Sequence, residues 1–319
     1  MRNFVEKRQE SGMKKLVTTI GAVLLAVTLL VVLKNQYGSV FAGNTYGMPA
    51  AIKMGEIEHL FIGSSMFRQG MDIDVLEDNL DGNVFILSYN GNQPVFMAEE
   101  LEYLLEQGVK IENLYIDFYA FTLTAVPWIS DTKMFLDTDL AFKKEAWEIM
   151  SAHNEVSVND FYEMFVTANN EQIFMFPVNN ALVSSQFRNG GSLMAPAGQS
   201  EEHLDTLDLG VRDGLFASQL AGYEKIQALC NEYEINLLFI ETPKYEKLLK
   251  DTREGAYPEL LEEMVSWAEG HHASYLLAEE FDYDHANGEN FQDLIHLSGQ
   301  GRKNYCKLLC RELGRIKEK

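Results

Sequence analysis

Two short motifs, far apart in the chain, carry residue types that could perform acyl chemistry. Gly63-Ser64-Ser65 follows a short apolar run, and Asp293-Leu294-Ile295-His296 places a carboxylate three residues before a histidine. On one helical turn the side chains of Asp293 and His296 could meet. The carboxylate would then orient the imidazole while His296 takes a proton from a serine hydroxyl. The pattern predicts a nucleophilic site made of a serine of the first motif, Ser64 or Ser65, with His296 and Asp293.

The elements around the first motif indicate how the serine would be held. Ile57–Ile62 is typical of a strand that ends at Gly63, and Val84–Leu87 of a second strand. Ala98–Gln107 has helical spacing, and Leu114–Tyr119 follows as a third strand. Strand, helix and strand with short connections predict a parallel α/β sheet. Ligands of such sheets lie beyond the carboxyl ends of the strands, where Ser65 is predicted to be.

The middle of the chain does not continue this alternation of strands and helices. We interpret about 127–210 as an insertion, acting as a lid over the site. Within it Ala141–Ala152 and Val158–Ala168 are predicted to be helical. Phe187–Ser200 is rich in Gly, Ser and Asn and is predicted to be a mobile loop.

After the insertion the α/β pattern returns. Helices are predicted over Leu215–Glu234, Tyr257–Gly270 and Lys303–Lys317. Strands are predicted over Ile235–Ile240 and Ser274–Leu277. One large domain over 57–319 is therefore expected, with enough apolar residues to bury a core.

The N-terminal region predicts a membrane anchor. Leu16–Leu33 contains 18 residues without a charge, and a helix of that length spans about 27 Å, close to the apolar thickness of a bilayer. Five basic residues precede it and Lys34 alone follows, which places residues 1–15 in the cytoplasm. Residues 34–56 would connect the anchor to an extracytoplasmic domain. A signal peptide cleaved after Ala42 is the alternative, although its apolar core would be unusually long.

Charge and cysteine content exclude some classes. The chain has a formal net charge of −22, although its first 35 residues hold six basic and two acidic side chains. The acidic remainder would be repelled by nucleic acid. The three cysteines, Cys230, Cys306 and Cys310, are too few and odd in number for a disulfide framework, so we interpret them as core thiols.

The order of these motifs resembles the SGNH hydrolases, also called GDSL-like esterases and acyltransferases. Ile62-Gly63-Ser64-Ser65 matches the block that carries the nucleophile, with Ser64 in place of the family's aspartate. Asp293 and His296 match the final Asp-x-x-His block, and Gly91 the second block, whose glycine N–H helps to build the oxyanion hole. The resemblance covers residues 57 to 317, apart from the insertion. It implies a three-layer fold, a parallel sheet flanked by helices.

The third block of the family is missing here. Its asparagine would complete the oxyanion hole, but the third strand ends Ile116-Asp117-Phe118-Tyr119. The resemblance implies oxyanion donors at Ser65 and Gly91, with Asn90 or Asn92 as a substitute for the asparagine. Loss of one such donor costs about 2.7–4 kcal/mol in a known enzyme.

With Gly-Ser-Ser and a predicted N-terminal membrane helix, this chain is similar to a subgroup of these hydrolases, the proteins of teichoic-acid D-alanylation and alginate O-acetylation. That resemblance implies a single-pass protein of the bacterial cell membrane. It would act on a cell-wall polymer or lipid-linked glycan, with a membrane-bound O-acyltransferase as partner and no cofactor. Acyl transfer and ester hydrolysis both stay open.

Other residues favour less specific roles. Arg68 could bind an anionic substrate or form a local salt bridge, and Asp117 could line the pocket or act as a structural cap; the structural role is favoured for both. His271-His272 and Asp282-Tyr283-Asp284-His285 match no compact metal pattern, so no metal is predicted.

The alternative to an enzyme is a non-catalytic envelope scaffold or glycan-binding protein, which predicts Ser65 and His296 far apart with no cleft between them.

Overall fold

A five-stranded parallel sheet forms the centre of the protein. The computed structural model describes residues 13–29, 46–135, 138–160, 186–194, 196, 204 and 208–317. In the described part the strands are β1 Glu56–Gly63, β2 Val84–Ser88, β3 Lys110–Asp117, β4 Phe187–Arg188, β5 Gly191–Ser192, β6 Asn236–Ile240 and β7 Tyr275–Leu276. The main sheet has the order β2-β1-β3-β6-β7, and each neighbouring pair is parallel. The predicted parallel α/β sheet is confirmed.

The helices lie between these strands. Their bounds in the described part are α1 residues 13–29, α2 Gly47–Met54, α3 Ser65–Gly70, α4 Ile73–Asn79, α5 Pro94–Glu106, α6 Ala120–Leu123, α7 Leu140–His153, α8 Ala217–Glu232, α9 Glu246–Leu249, α10 Tyr257–Gly270 and α11 Gly299–Lys317. Single 3-10 turns cover Thr132–Phe135, Ala278–Glu280 and Gly288–Asn290.

The strand order explains why helices cover both faces. The chain moves from β1 to β2 in one direction across the sheet and from β2 to β3, β6 and β7 in the other. Because crossover connections are right-handed, helices that follow opposite directions lie on opposite faces. Helices α3 and α4 therefore occupy one face, where α11 packs on them, and α5 and α8 pack together on the other. In open α/β sheets ligands bind at such a reversal, beyond the carboxyl ends of the strands, which here are β1 and β3.

The central strands are apolar because both of their faces are covered. Leu60, Phe61 and Ile62 of β1 are completely buried, as are Leu114 and Ile116 of β3. This burial aligns the two strands, so that Ile62 of β1 pairs with Ile116 of β3.

The structure corrects two segment predictions. The connector predicted over 34–56 contains helix α2, because Met48, Ala50 and Ala51 are buried against the core. Residues 187–192, predicted to be part of a mobile loop, form the β4–β5 hairpin. There Asn189 accepts a hydrogen bond from the amide of Ile86 at 2.9 Å, which joins the hairpin to β2.

The N-terminal prediction is only partly covered. Residues 13–29 are helical with exposed side chains, and the rest of the predicted anchor Leu16–Leu33 lies outside the described residues. In the part of the chain that the structure describes, we find no helix with both the length and the apolar character needed to cross a membrane. Most of the predicted helix Val158–Ala168 also lies outside the described residues; residues 158–160 are helical.

We predict that Gly222→Ala destabilises the domain. A Cβ at Gly222 of α8 would lie 2.5 Å from the backbone of Pro94 and Val95, where α5 begins. Since backbone cannot move aside as a side chain does, we expect a loss of about 2–3 kcal/mol in the free energy of unfolding, measured by denaturant titration.

Gly314→Ala is the matched control. It makes the same change at an exposed position of helix α11, where the added Cβ would have no heavy atom within 4 Å. It should stabilise the protein by about 1 kcal/mol through helix propensity. Equal effects of the two substitutions would contradict the packing of α8 on α5.

Candidate active site

Ser65 lies where β1 gives way to α3. Ser64 is the N-cap residue of this helix, and its Oγ accepts a hydrogen bond from the amide of Met66 at 3.2 Å. Ser64 is itself held by Asp117 at the end of β3, whose Oδ2 accepts hydrogen bonds from the Ser64 amide at 3.1 Å and from its hydroxyl. This cap fixes the first turn of the helix and leaves the Ser65 side chain partly exposed.

His296 reaches Ser65 from the other end of the chain. Its Nε2 is 2.8 Å from Ser65 Oγ, and its Nδ1 is 2.8 Å from Asp293 Oδ2. Because a carboxylate only accepts, Nδ1 carries the proton and Nε2 is free to accept the serine hydroxyl. The structure thus brings together the three side chains that the two motifs predicted.

Asp293 is held in its charged form. Burial works to raise the pKa of this carboxyl, but the hydrogen bond and charge of His296 and the amides of Ile295 and His296 lower it below its usual value. Those two amides donate to Asp293 Oδ1 at 2.9 and 2.8 Å. Asp293 can therefore orient His296 and stabilise an imidazolium.

The Asp293–His296 segment is a tight loop and not the helical turn that its spacing suggested. A bridge between Phe291 and Leu297 closes the loop, and the amide of Gln292 donates to His296 O at 2.8 Å. Buried Leu294 and Leu297 anchor it in the core. The prediction that the two side chains meet is correct, but tertiary packing and not helix geometry makes them meet.

The predicted oxyanion residues lie in a turn after β2. Tyr89 donates its amide to Gly63 O at 3.2 Å, which ties this turn to the end of β1, and Gly91 adopts φ +63°. No acceptor among the described residues takes the N–H of Gly91 or of Ser65. Both amides are therefore available to an oxyanion.

Asn90 and Asn92 do not have the same surroundings. Asn90 is exposed, and its amide donates to Asp131 Oδ2 at 3.2 Å. Asn92 is buried, and its side-chain amide donates to both oxygens of Glu100 at 3.0 and 3.1 Å. Burial raises the pKa of Glu100 well above its ordinary value, against the hydrogen bond from Asn92. Asn92 thus stabilises the turn and is not free to replace the missing asparagine.

Arg68 forms the local ion pair that was favoured from sequence. Its guanidinium lies 3.2 Å from Asp131 and stacks over the ring of Phe187 at 5.1 Å. Asp131 is buried and also pairs with Lys133 at 2.8 Å. This buried carboxylate, which the sequence did not single out, joins the start of the insertion to α3 and to the Gly91 turn.

The histidines considered for metal binding have other partners. His285 Nδ1 lies 2.7 Å from Lys244 O, and His271 Nδ1 lies 2.8 Å from Trp267 O. Among the described residues, Glu99, Glu102 and Glu145 could hold an ion by distance. However, the ammonium of Lys225 already pairs with Glu99 and Glu102 at 2.7 and 2.6 Å, so this cluster has a counter-charge.

Comparisons with known proteins found similar solved structures but no matching family or curated protein. A protein of Bacteroides fragilis provisionally named an acylhydrolase is similar in structure, with TM-score 0.38, 9% identity and coverage of 82% of this chain and 88% of its own. A GDSL-like lipase of Bacteroides thetaiotaomicron has a TM-score of 0.37 and 9% identity, over 83% of this chain and 90% of its own. A protein of Streptococcus pneumonia provisionally named a platelet activating factor has a TM-score of 0.38 and 13% identity, over 92% of this chain and 99% of its own.

We predict that Gly91→Ala slows any reaction of Ser65. The added Cβ would lie 2.9 Å from the Ser130 side chain, and the alanine would have to adopt a φ of +63°. The turn would shift and displace the Gly91 amide, the predicted oxyanion donor, so we expect the rate of labelling by a fluorophosphonate to fall about 100-fold.

Gly108→Ala is the control, because φ is +82° there but no heavy atom lies within 4 Å of the added Cβ. It should reduce stability by about 1–2 kcal/mol through backbone strain alone and leave labelling unchanged. Equal labelling of the two variants would remove Gly91 from the oxyanion hole.

Proposed function

We propose that this protein is a membrane-anchored serine esterase or O-acyltransferase of the SGNH type that acts on ester-linked acyl groups of a cell-envelope polymer. The observation that carries the enzymatic part is the continuous contact from Ser65 Oγ through His296 to Asp293, with both hydrogen bonds at 2.8 Å. Nucleophile, base and orienting carboxylate are the three roles that acyl transfer through a serine requires.

The proposed reaction runs in two stages, acylation of Ser65 and resolution of the acyl-enzyme. Ser65 Oγ attacks the acyl carbonyl while His296 Nε2 takes its proton, and Asp293 stabilises the imidazolium. The amides of Ser65 and Gly91 hold the negative charge on the carbonyl oxygen. His296 then returns the proton to the leaving alcohol, and an acyl-enzyme ester on Ser65 is left. Water or the hydroxyl of an acceptor polymer, deprotonated by His296, resolves this intermediate.

The missing asparagine affects the expected rate. Asp117 stands at the end of β3, and its carboxylate binds Ser64 instead of donating to an oxyanion. With two backbone donors in place of three, the barrier is higher by about 2.7–4 kcal/mol, which corresponds to roughly 100- to 1,000-fold in kcat. A slow enzyme restricted to one special acyl donor fits this arrangement better than a general esterase.

The alternative of a non-catalytic scaffold predicted that Ser65 and His296 would be apart. Their contact at 2.8 Å favours the enzyme. Transfer and hydrolysis differ only in the acceptor, and an acceptor held by a membrane-bound O-acyltransferase would favour transfer.

Membrane anchoring is proposed on the apolar character of Leu16–Leu33 and the basic residues before it. An extended connector reaches at most about 3.6 Å per residue, so a tether ending at Leu33 keeps Ser65 within roughly 115 Å of the bilayer. This favours cell-wall polymers and lipid-linked glycans over freely diffusing esters.

The proposed chemistry predicts selective labelling of Ser65. A fluorophosphonate should label the full-length protein, and Ser65→Ala should abolish the label. Asp293→Asn should slow labelling about 10⁴-fold, because the imidazole loses its orienting charge. Ser266→Ala, an exposed serine of α10, should label normally. A label retained in Ser65→Ala, or none in the wild type, would reject the proposal.

The proposed anchor predicts that the protein stays in the membrane pellet after alkaline carbonate washing. Replacing Leu24 and Leu25 with arginine should release it, since each arginine at a helix centre costs about 2.5–3.5 kcal/mol. Val158→Arg at an exposed site should not. Release of the unaltered protein, with a new N-terminus at Gly43, would show a cleaved signal peptide instead.

A further inference from the structure

A buried carboxylate at the start of the insertion contacts both elements that carry the proposed oxyanion donors. Asp131 is 6% exposed and directly precedes the 3-10 turn Thr132–Phe135. Its Oδ2 accepts hydrogen bonds from the amide of Asn90 and from the guanidinium of Arg68, each at 3.2 Å. Its Oδ1 accepts from the amide and the ammonium of Lys133 at 3.2 and 2.8 Å. Both carboxylate oxygens are therefore engaged, and one of them bridges two separate elements.

The bridge formed by Oδ2 links the positions of the two proposed donors. Asn90 directly precedes Gly91 in the turn after β2, and Arg68 lies three residues after Ser65 in α3. Residues three apart on a helix are neighbours on its surface. Because one oxygen receives a donor from each element, its position sets how far the Gly91 turn lies from the start of α3. Two amides can stabilise one oxyanion only when that separation is correct.

The segment that carries this carboxylate is itself fixed. Met134 and Phe135, in the 3-10 turn that follows, are buried in the core, and the Met134 amide donates to Asp131 O at 3.3 Å. Ser130, directly before Asp131, packs so closely on the turn that a Cβ at Gly91 would lie 2.9 Å from its side chain. Asp131 is therefore a fixed point against which the turn is held.

The other end of the same turn has different partners. The side chain of Asn92 binds Glu100 at 3.0 and 3.1 Å, and Gln93 Oε1 accepts from the amide of Trp128 at 3.0 Å. Loss of the Asp131 carboxylate would free the first end of the turn and leave the second end in place. We therefore expect a local displacement of the turn and not a loss of the fold.

We propose that Asp131 is a positioning residue of the oxyanion hole. By binding Asn90 and Arg68 with one oxygen, its carboxylate fixes the Gly91 amide at the working distance from the Ser65 amide. The inference rests on the proposed serine chemistry, and Asp131 itself is not placed in contact with substrate.

The first test is fluorophosphonate labelling of full-length Asp131→Ala, with the maximal rate and the half-saturating concentration measured separately. A displaced Gly91 amide stabilises the oxyanion less, so the maximal rate should fall about 10- to 100-fold, up to the effect of losing one donor. The half-saturating concentration should stay within about twofold of wild type, because Asp131 does not touch the probe.

Asp72→Ala is the matched control, because Asp72 is a buried carboxylate with the same kinds of partner. It pairs with Arg302 at 3.0 Å and accepts from the amide of Val75 at 3.2 Å, at the start of α4. Its melting temperature should fall at least as far as that of Asp131→Ala, since each variant leaves an arginine without its carboxylate. Its labelling should match wild type, and equal labelling losses in the two variants would overturn the inference.

A double-mutant cycle tests whether Asp131 acts through Gly91. If the change at 131 only displaces the Gly91 amide, the double variant Asp131→Ala/Gly91→Ala should label about as slowly as Gly91→Ala alone. A loss equal to the product of the two single losses would show that the residues act independently, and the inference would then be wrong.

Amide hydrogen exchange tests the contact without any activity. The Asn90 amide donates to a carboxylate, and loss of a hydrogen bond to a charged group should raise its exchange rate about 10-fold or more. Exchange over residues 89–92 should therefore be faster in Asp131→Ala and unchanged in Asp72→Ala. Unchanged exchange in Asp131→Ala would show that the carboxylate does not hold the turn and would overturn the inference.

These readouts separate the inference from the proposed function. Absence of labelling in the wild type would reject the serine chemistry, while exchange at Asn90 still decides whether Asp131 holds the turn. Normal labelling of the wild type, with Asp131→Ala labelled at the same rate, would leave the serine chemistry in place and overturn the inference.

Asp131→Asn covers the case in which Asp131→Ala does not accumulate. Asparagine keeps the size of the side chain but is neutral and has one acceptor oxygen in place of two. Since hydrogen bonds to a charged acceptor are about twice as strong as those to a neutral one, the maximal labelling rate should fall about 3- to 10-fold. Labelling at the wild-type rate would count against the proposal.

Discussion

The hydrogen bonds between Asp117 and Ser64 are the interaction on which the candidate site depends. They join the end of β3 to the end of β1 at the point where the chain reverses its direction across the sheet. Parallel pairing brings the two residues to the same edge, and a Cβ at Gly63 would lie 2.8 Å from Asp117 Cβ. The glycine thus permits a close approach, and the serine after it becomes a helix cap. The close approach at Gly63 and the helix cap at Ser64 together position Ser65 at the start of α3.

The remaining parts of the site are attached to this junction by separate contacts. The Gly91 turn is tied to Gly63 O, and the Asp131 carboxylate joins the insertion to that turn and to Arg68. The His296 loop is anchored by buried leucines and by the segment that carries Lys244. The attachments through Asp131 are polar contacts of a buried carboxylate, so loss of that carboxylate leaves its partners unsatisfied. We expect the site to tolerate conservative apolar changes better than loss of these polar partners.

Asp117 shows how one residue affects a whole site. A carboxylate at position 117 cannot donate to an oxyanion, but it can bind the hydroxyl and amide of Ser64. The serine at 64 and the aspartate at 117 are therefore complementary.

Local pattern was enough to predict the strands, because β1, β2, β3 and β6 are apolar runs that end in polar or glycine residues. It was enough to single out Ser65, Asp293 and His296, because their types and order are specific. It missed α2 and the β4–β5 hairpin, whose stability comes from burial of Met48 and Phe187 against distant residues. It also described Asp293–His296 as a helical turn, whereas the fold of the surrounding loop makes the contact.

The amino-acid sequence by itself therefore determined the residue types of a serine site, the alternation of strands and helices, and the strongly acidic balance. Only the tertiary structure decided that 231 residues of separation between Ser65 and His296 close to 2.8 Å. It also decided that Ser64 is bound by Asp117, which is 53 residues away along the chain. These facts depend on which strands become neighbours and on what each buried group finds to pair with. No short stretch of sequence contains both partners of such a contact.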